Sequence, residues 1–181
     1  MKKFELTGEF VTNFFGKKLF RIRALVAFGD VEAGELGGYV EKEENLDQYG
    51  NAWVSGNARV SGNALVSGDA LVSGNARVYG NARVSGNARV YGNARVSGDA
   101  WVSGDALVSG NADILHITGL GTVHRTTTAF KTDLGIMVSC GCFFGNIEEF
   151  RKQVINTREG KVRLEYLAFA DLLEIYFGKE E

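Results

Sequence analysis

A six-residue unit, Gly-Asn/Asp-Ala-x-Val-Ser/Tyr, begins at Gly50 and runs without insertion through eleven copies to Leu115. Self-similarity at a fixed short period marks a repeat architecture, in which a small unit buries its apolar face only by stacking on its neighbours. Within each unit Ala and Val flank a variable residue. A strand through them must turn the small and β-branched side chains to one side and the variable residue to the other. The Gly-Asn or Gly-Asp pair is a turn signal, because glycine, and to a lesser degree Asn and Asp, adopts positive φ cheaply. Every strand is therefore short and ends at a corner. Six residues per side leave too little turn for a hairpin array, but they suit a coil of three sides stacked at roughly 4.8 Å, the strand spacing. Glycine usage agrees with this: the chain has 24 glycines and no proline, where an average of about 5% would predict roughly nine prolines.

These residues resemble the hexapeptide-repeat family, whose pattern places an aliphatic residue first and a small one four positions later, as in Val54 and Ala58, or Val60 and Ala64. The resemblance implies a left-handed coil of eighteen residues. The leader Gly34-Glu35-Leu36-Gly37-Gly38-Tyr39-Val40, followed by Glu41 to Asn45 and Leu46, further resembles hexapeptide proteins that are often encoded in prophages. The expected fold is mainly β, a three-sided left-handed parallel β-helix with an N-terminal β cap and a C-terminal cap of β structure plus two helices. Its segments are residues 1–49 (N-terminal β cap and first coil), 50–115 (repeats), 116–145 (β segment) and 146–181 (helical cap). In the last, Asn146 is the expected N-cap of a helix from Ile147 to about Asn156, with Glu148 and Glu149 in its first turn. From Lys161 to Phe177 a second helix carries Leu164, Leu167, Ala168, Leu172, Ile175 and Tyr176 as a stripe read as core or oligomer contact, and Gly178 stops it.

At 181 residues, 45% hydrophobic and 23% charged, the chain suits one soluble folding unit, and it holds no apolar run of membrane-spanning length. Met1-Lys2-Lys3-Phe4-Glu5 lacks the apolar stretch of a secretory signal, so the cytoplasm is expected, a bacterial host's if the chain is phage-encoded. Cys140 and Cys142, with one residue between them, read as free structural thiols and not as a zinc site or disulfide framework. The net charge of −2 exerts no global pull toward nucleic acid, although a balanced total can hide a basic stripe.

On a three-sided coil, residues eighteen apart form columns. The corner columns are Asn51, Asp69, Asn87, Asp105; Asn57, Asn75, Asn93, Asn111; and Asn63, Asn81, Asp99. Amide ladders of this kind hydrogen-bond between rungs. The outward columns are Arg59, Arg77, Arg95, Asp113; then Trp53, Leu71, Arg89, Leu107; then Leu65, Arg83, Trp101. The last two are expected to expose apolar surface of the kind that finds a partner. Tyr replaces Ser only at Tyr79 and Tyr91, two residues beyond Arg77 and Arg89. The candidate ligand-binding residues are thus Arg59, Arg77, Arg95, Tyr79, Arg89 and Tyr91, offering guanidinium forks for phosphate and rings for stacking. The plainer reading is that Arg and Tyr suit exposed strand positions, with corner aspartates neutralising the arginines.

Many members of the resembled family are acyltransferases that use a histidine base beside an acyl-coenzyme A. Here only His116 and His124 could serve, both beyond the regular repeats, and the repeats lack the excursion loop that shapes such pockets. The expected function is therefore non-catalytic, with no cofactor and no metal. The chain would be a binding or scaffold protein, a homo-oligomer with a trimer the expected form. Its partner would be an anionic, nucleotide-like small molecule or a host protein, as in a phage counter-defence protein that sequesters a nucleotide signal. The competing readings are a coenzyme A-dependent acyltransferase and a passive, polymer-forming rod.

Overall fold

The computed structural model describes residues 2–178, so Met1 of the N-terminal segment and residues 179–181 of the helical cap lie outside the described residues. Ten two-residue strands, one per repeat unit from Trp53–Val54 to Leu107–Val108, stack into three parallel sheets that form the sides of the coil. Residues eighteen apart pair directly, as in Arg59↔Arg77, Leu71↔Arg89 and Leu65↔Arg83. Every inward Ala and Val of these strand units is essentially inaccessible to solvent, and together they make one continuous core. At the corners the glycines take positive φ. A Cβ on Gly80 (φ +76°) would lie 3.0 Å from the backbone N of Gly98 on the next rung, so both the turn and the rung spacing exclude a side chain there. Along the same edges the amides form the ladder, with Asn81 Nδ2 donating to Asp99 Oδ1 at 2.9 Å and Asn63 Nδ2 to Asn81 Oδ1 at 3.2 Å.

The coil begins before the regular repeats and ends short of their last copy. Strand Leu36–Val40 lies parallel beneath Arg59–Val60, and Leu46 bridges Val66, so the leader supplies part of a first coil. The eleventh unit departs from the pattern. Asn111–Asp113 forms a turn of 3-10 helix, and Ile114–Leu120 pairs antiparallel with Arg125–Thr132 instead of adding a rung. Asp113 occupies the variable position, but its carboxylate turns back to accept from Ser109 N and Gly110 N, and it has no strand pairing with Arg95. Asp113 therefore does not continue the Arg59 column.

Most inter-rung bonds run from an N–H to a carbonyl on the following rung, as in Arg59 N to Ala76 O at 2.9 Å, while the paired valines donate back to the preceding rung. The N-terminal end consequently presents mainly orphan carbonyls and the C-terminal end mainly orphan N–H groups. Donors cap the first. Lys3 Nζ reaches the carbonyls of Tyr49, Gly50 and Ala52 at 3.3, 3.3 and 2.9 Å, and Asn45 Nδ2 those of Gly62 and Ala64 at 3.0 and 2.8 Å. Burial depresses the Lys3 ammonium, while Asp47 and Asp69 counter that effect. Acceptors cap the second end. Arg95 N donates to Asn111 Oδ1, Trp101 N to Thr128 Oγ1, and Ser109 N and Gly110 N to the Asp113 carboxylate at 2.9 and 3.1 Å. Apolar plugs finish both ends: Phe4, Ile22 and Phe28 around Trp53 at one, Phe130 at the other.

Strands Phe4–Thr12 and Lys18–Ala24 form an antiparallel hairpin continued by Leu36–Val40, and Ile114–Leu120, Arg125–Thr132, Gly135–Cys140 and Phe143–Asn146 form a four-stranded antiparallel sheet. Two helices follow, α1 (Ile147–Thr157) and α2 (Gly160–Phe177). At the start of α1 the Asn146 side chain accepts from Glu149 N and the Glu149 carboxylate from Asn146 N, both at 2.9 Å, a reciprocal capping box. The face that α2 buries differs from the expected stripe. Tyr166, Phe169, Ala170 and Leu173 meet the sheet with Leu167 of the stripe packed partly buried beside them, whereas Leu164, Ala168, Leu172, Ile175 and Tyr176 face outward. Both faces of this helix are apolar, so periodicity alone gives no ground for choosing between them.

Two outcomes are expected. Replacing Lys3 with Met leaves three carbonyls short of a donor and should lower unfolding stability by about 1–3 kcal/mol in a urea titration, with the m-value unchanged. Burial alone would raise the Asp113 carboxyl, but the Lys131 ammonium and the donors of Ser109 and Gly110 outweigh it and hold it at about 2, below its ordinary 3.8. A depressed carboxylate stabilises fully above the unfolded value and stops stabilising as pH falls through the folded one. Melting followed from pH 5 to 2 should therefore lose up to roughly 2 kcal/mol more in the native protein than in Asp113→Asn.

Candidate binding groove

The variable position of each unit points away from the Ala/Val core, and the eighteen-residue period sets such residues one above another. On the first side Arg59, Arg77 and Arg95 are successive register partners, with the buried Tyr39 beneath Arg59. Adjacent strands lie about 4.8 Å apart, and like charges directly opposite one another at that spacing are destabilising. Among the described residues none of these arginines forms an ion pair. The corner aspartates do not neutralise them. Asp69, Asp99 and Asp105 each accept an amide proton, from Asn51, Asn81 and Asn87, at 2.9 Å.

The N-terminal hairpin projects over this side. Asn13 Oδ1 fastens its turn by accepting from Phe15 N and Lys17 N at 2.9 and 3.0 Å. This leaves Phe14 and Phe15 97% and 82% exposed at the tip, packed edge to face on each other. Hairpin and coil enclose a groove of about 300 Å³, with Phe14 and Phe15 on one wall and Arg59, Arg77, Arg95 and Tyr79 on the other. Cationic forks, a phenol ring and two loosely held aromatic rings thus face one space, an arrangement that can grip an oxyanion and stack a flat ring at once.

Of the six residues singled out in the sequence, four meet here and two do not. Arg89 and Tyr91 lie on the neighbouring side, where Arg89 stands between Leu71 and Leu107 above a wide depression of about 1010 Å³ that is also lined by Asp69, Asp105 and Asp133. Trp53, expected to be exposed on that side, is buried under Phe4 and Phe28 of the N-terminal cap. On the third side Trp101 stacks above Arg83 and donates through Nε1 to Ser85 Oγ at 3.2 Å. Sequence reasoning missed Phe14 and Phe15. Their signal was an Asn-Phe-Phe-Gly turn between two alternating strands, where a polar tip is the norm.

His116 sits on Ile114–Leu120 opposite Thr128, and His124 occupies the following turn at φ +49°, its Nδ1 3.3 Å from Gly119 O. Neither lines the arginine groove. Among the described residues no group of His, Cys, Asp and Glu is placed to hold a metal ion, and no helix is long and apolar enough to cross a membrane.

Residues 52–68, 58–74, 76–90 and 88–104 match a family model described as the YdcK beta solenoid repeat. No curated protein matches the chain. The matched residues are those of the stacked parallel strands, and on both grounds the chain is a β-solenoid repeat protein.

Proposed function

We propose that this chain is a non-catalytic binding protein whose groove between the hairpin tip and the Arg59–Arg77–Arg95 column holds an anionic, nucleotide-like ligand. The observation that carries the reading is the column itself: stacked guanidiniums without an acidic partner among the described residues. A surface selected only for stability has no reason to align like charges on adjacent strands. An oxyanion between the rungs would remove that repulsion and gain charge-assisted hydrogen bonds of roughly 1.5–3 kcal/mol each. Tyr79, Phe14 and Phe15 supply faces for a base. Retention without conversion suits a protein that removes a signalling nucleotide from circulation, the role of a phage counter-defence protein.

The test is a thermal-shift screen of linear and cyclic nucleotides, with acyl-coenzyme A species alongside. A ligand at about 100 times its dissociation constant should stabilise by roughly 2.7 kcal/mol, the effect should weaken with salt, and the nucleotide should be recovered chemically unaltered. Arg77→Ala with Arg95→Ala should reduce affinity by about two orders of magnitude or more. The unliganded double variant should remain within about 0.5 kcal/mol of the native protein per site, or be more stable. Binding that survives the double substitution would reject the reading. A response to acyl-coenzyme A alone, abolished by His116→Ala or His124→Ala, would replace it with the transferase.

A further inference from the structure

The C-terminal cap contains a second cleft with a different chemistry. Helices α1 and α2 close over the antiparallel sheet through Phe150, Val154, Tyr166, Phe169 and Leu173. Where they part from it they leave an outer space of about 510 Å³ and an inner one of about 100 Å³, both bordered by Arg125, Thr157, Arg158 and Tyr166. The fold spends effort on placing these groups. The Arg125 guanidinium lies across Gly141, whose φ of +62° and missing Cβ make room for it. Arg158 is the C-cap residue of α1. Arg163 is already occupied, its Nε donating to Arg158 O at 2.6 Å and its Nη2 to Ile155 O at 3.0 Å, a cation on the negative end of a helix.

Arg125 and Arg158 form no ion pair among the described residues. One carboxylate, Glu159, stands at the rim of the outer space beside three arginines, while Glu165 is turned toward Gly121 N at 3.0 Å and Lys161 Nζ at 3.6 Å. Besides the four shared residues, the inner space is lined by Cys140, Cys142, Phe143, Phe150, Gln153 and Val154. Tyr166 stands at the junction of the two, its hydroxyl donating to Leu120 O at 3.4 Å. Burial and the neighbouring Cys140 thiol raise its pKa, so it stays a neutral donor. A polar mouth with surplus positive charge above a small thiol-bearing pocket that two phenylalanines and a valine partly line suits an anion with a compact apolar group.

We propose that this cleft is a second binding site, for a small oxyanion with a compact apolar group, held at its phosphate or carboxylate by Arg125 and Arg158 and at its apolar end by the cysteine-lined pocket. The site is independent of the solenoid groove, so it is tested in protein carrying Arg77→Gln and Arg95→Gln. Phenyl phosphate and benzoate at roughly 10 mM, about tenfold above a dissociation constant of ~1 mM, should each be tried in thermal shift. A rise in melting temperature with either, abolished by adding Arg125→Gln and Arg158→Gln, is the expected result, and the stronger of the two anions identifies the head group. No rise with either, or a rise that persists after the added changes, overturns the proposal. Alkylation of the exposed Cys142 by iodoacetamide reads the same cleft with Arg125 and Arg158 intact. It should slow about tenfold at that ligand concentration, and an unchanged rate overturns the proposal even if the added variant fails to fold.

Discussion

The inter-rung hydrogen-bond ladder, in which most bonds run from an N–H to a carbonyl on the following rung as in Arg59 N to Ala76 O, is the constraint from which the rest of the molecule follows. Because the bonds pointing that way outnumber those pointing back, the coil has two chemically different ends, one short mainly of donors and one short mainly of acceptors. That polarity explains why Lys3 and Asn45 sit at the first and Asn111, Asp113 and Thr128 at the second. It explains as well why an otherwise expensive buried ammonium is tolerated, since Lys3 replaces several backbone donors that no preceding rung supplies. Rung spacing then sets the corners, where glycine backbones of successive coils nearly touch, and the same spacing aligns whatever occupies the outward positions.

That alignment made much of the fold legible. A six-residue period with inward Ala and Val leaves little freedom, and the sides, the asparagine ladder and the arginine column can all be read from residue numbers eighteen apart. The Asn146 box around Glu149 is equally local and equally readable. What periodicity could not reach were contacts between distant segments. The hairpin bearing Phe14 and Phe15 falls outside the repeat, so nothing in the spacing places it over Arg59 and Tyr79. The burial of Trp53 depends on Phe4 and Phe28, far away in sequence. Helix α2 is apolar on opposite sides, and only docking against the sheet selects Tyr166 and Leu173 over Leu164 and Ile175.

The same geometry bears on a passive, polymerising rod. A parallel solenoid grows end to end when its last rungs offer unpaired backbone and bare core to another copy. Here each exit is blocked twice, by side chains that satisfy the backbone groups named above and by an aromatic plug, Phe4 with Trp53 at one end and Phe130 at the other. The strand ladder is also turned aside, since Ala106 meets Thr132 in an antiparallel bridge and the chain leaves the coil axis in a four-stranded sheet. The backbone groups named above are thus occupied by the chain's own side chains, which opposes growth of the coil by a second copy along its axis. On the sides of the coil the apolar residues are partly covered or interrupted by arginine, whereas Arg59, Arg77 and Arg95 stand in register facing the groove under the hairpin and form no ion pair among the described residues. A scaffold this rigid converts a repeat length into a charge spacing, and a ligand with oxyanions at matching intervals could be held with little loss of protein entropy on binding.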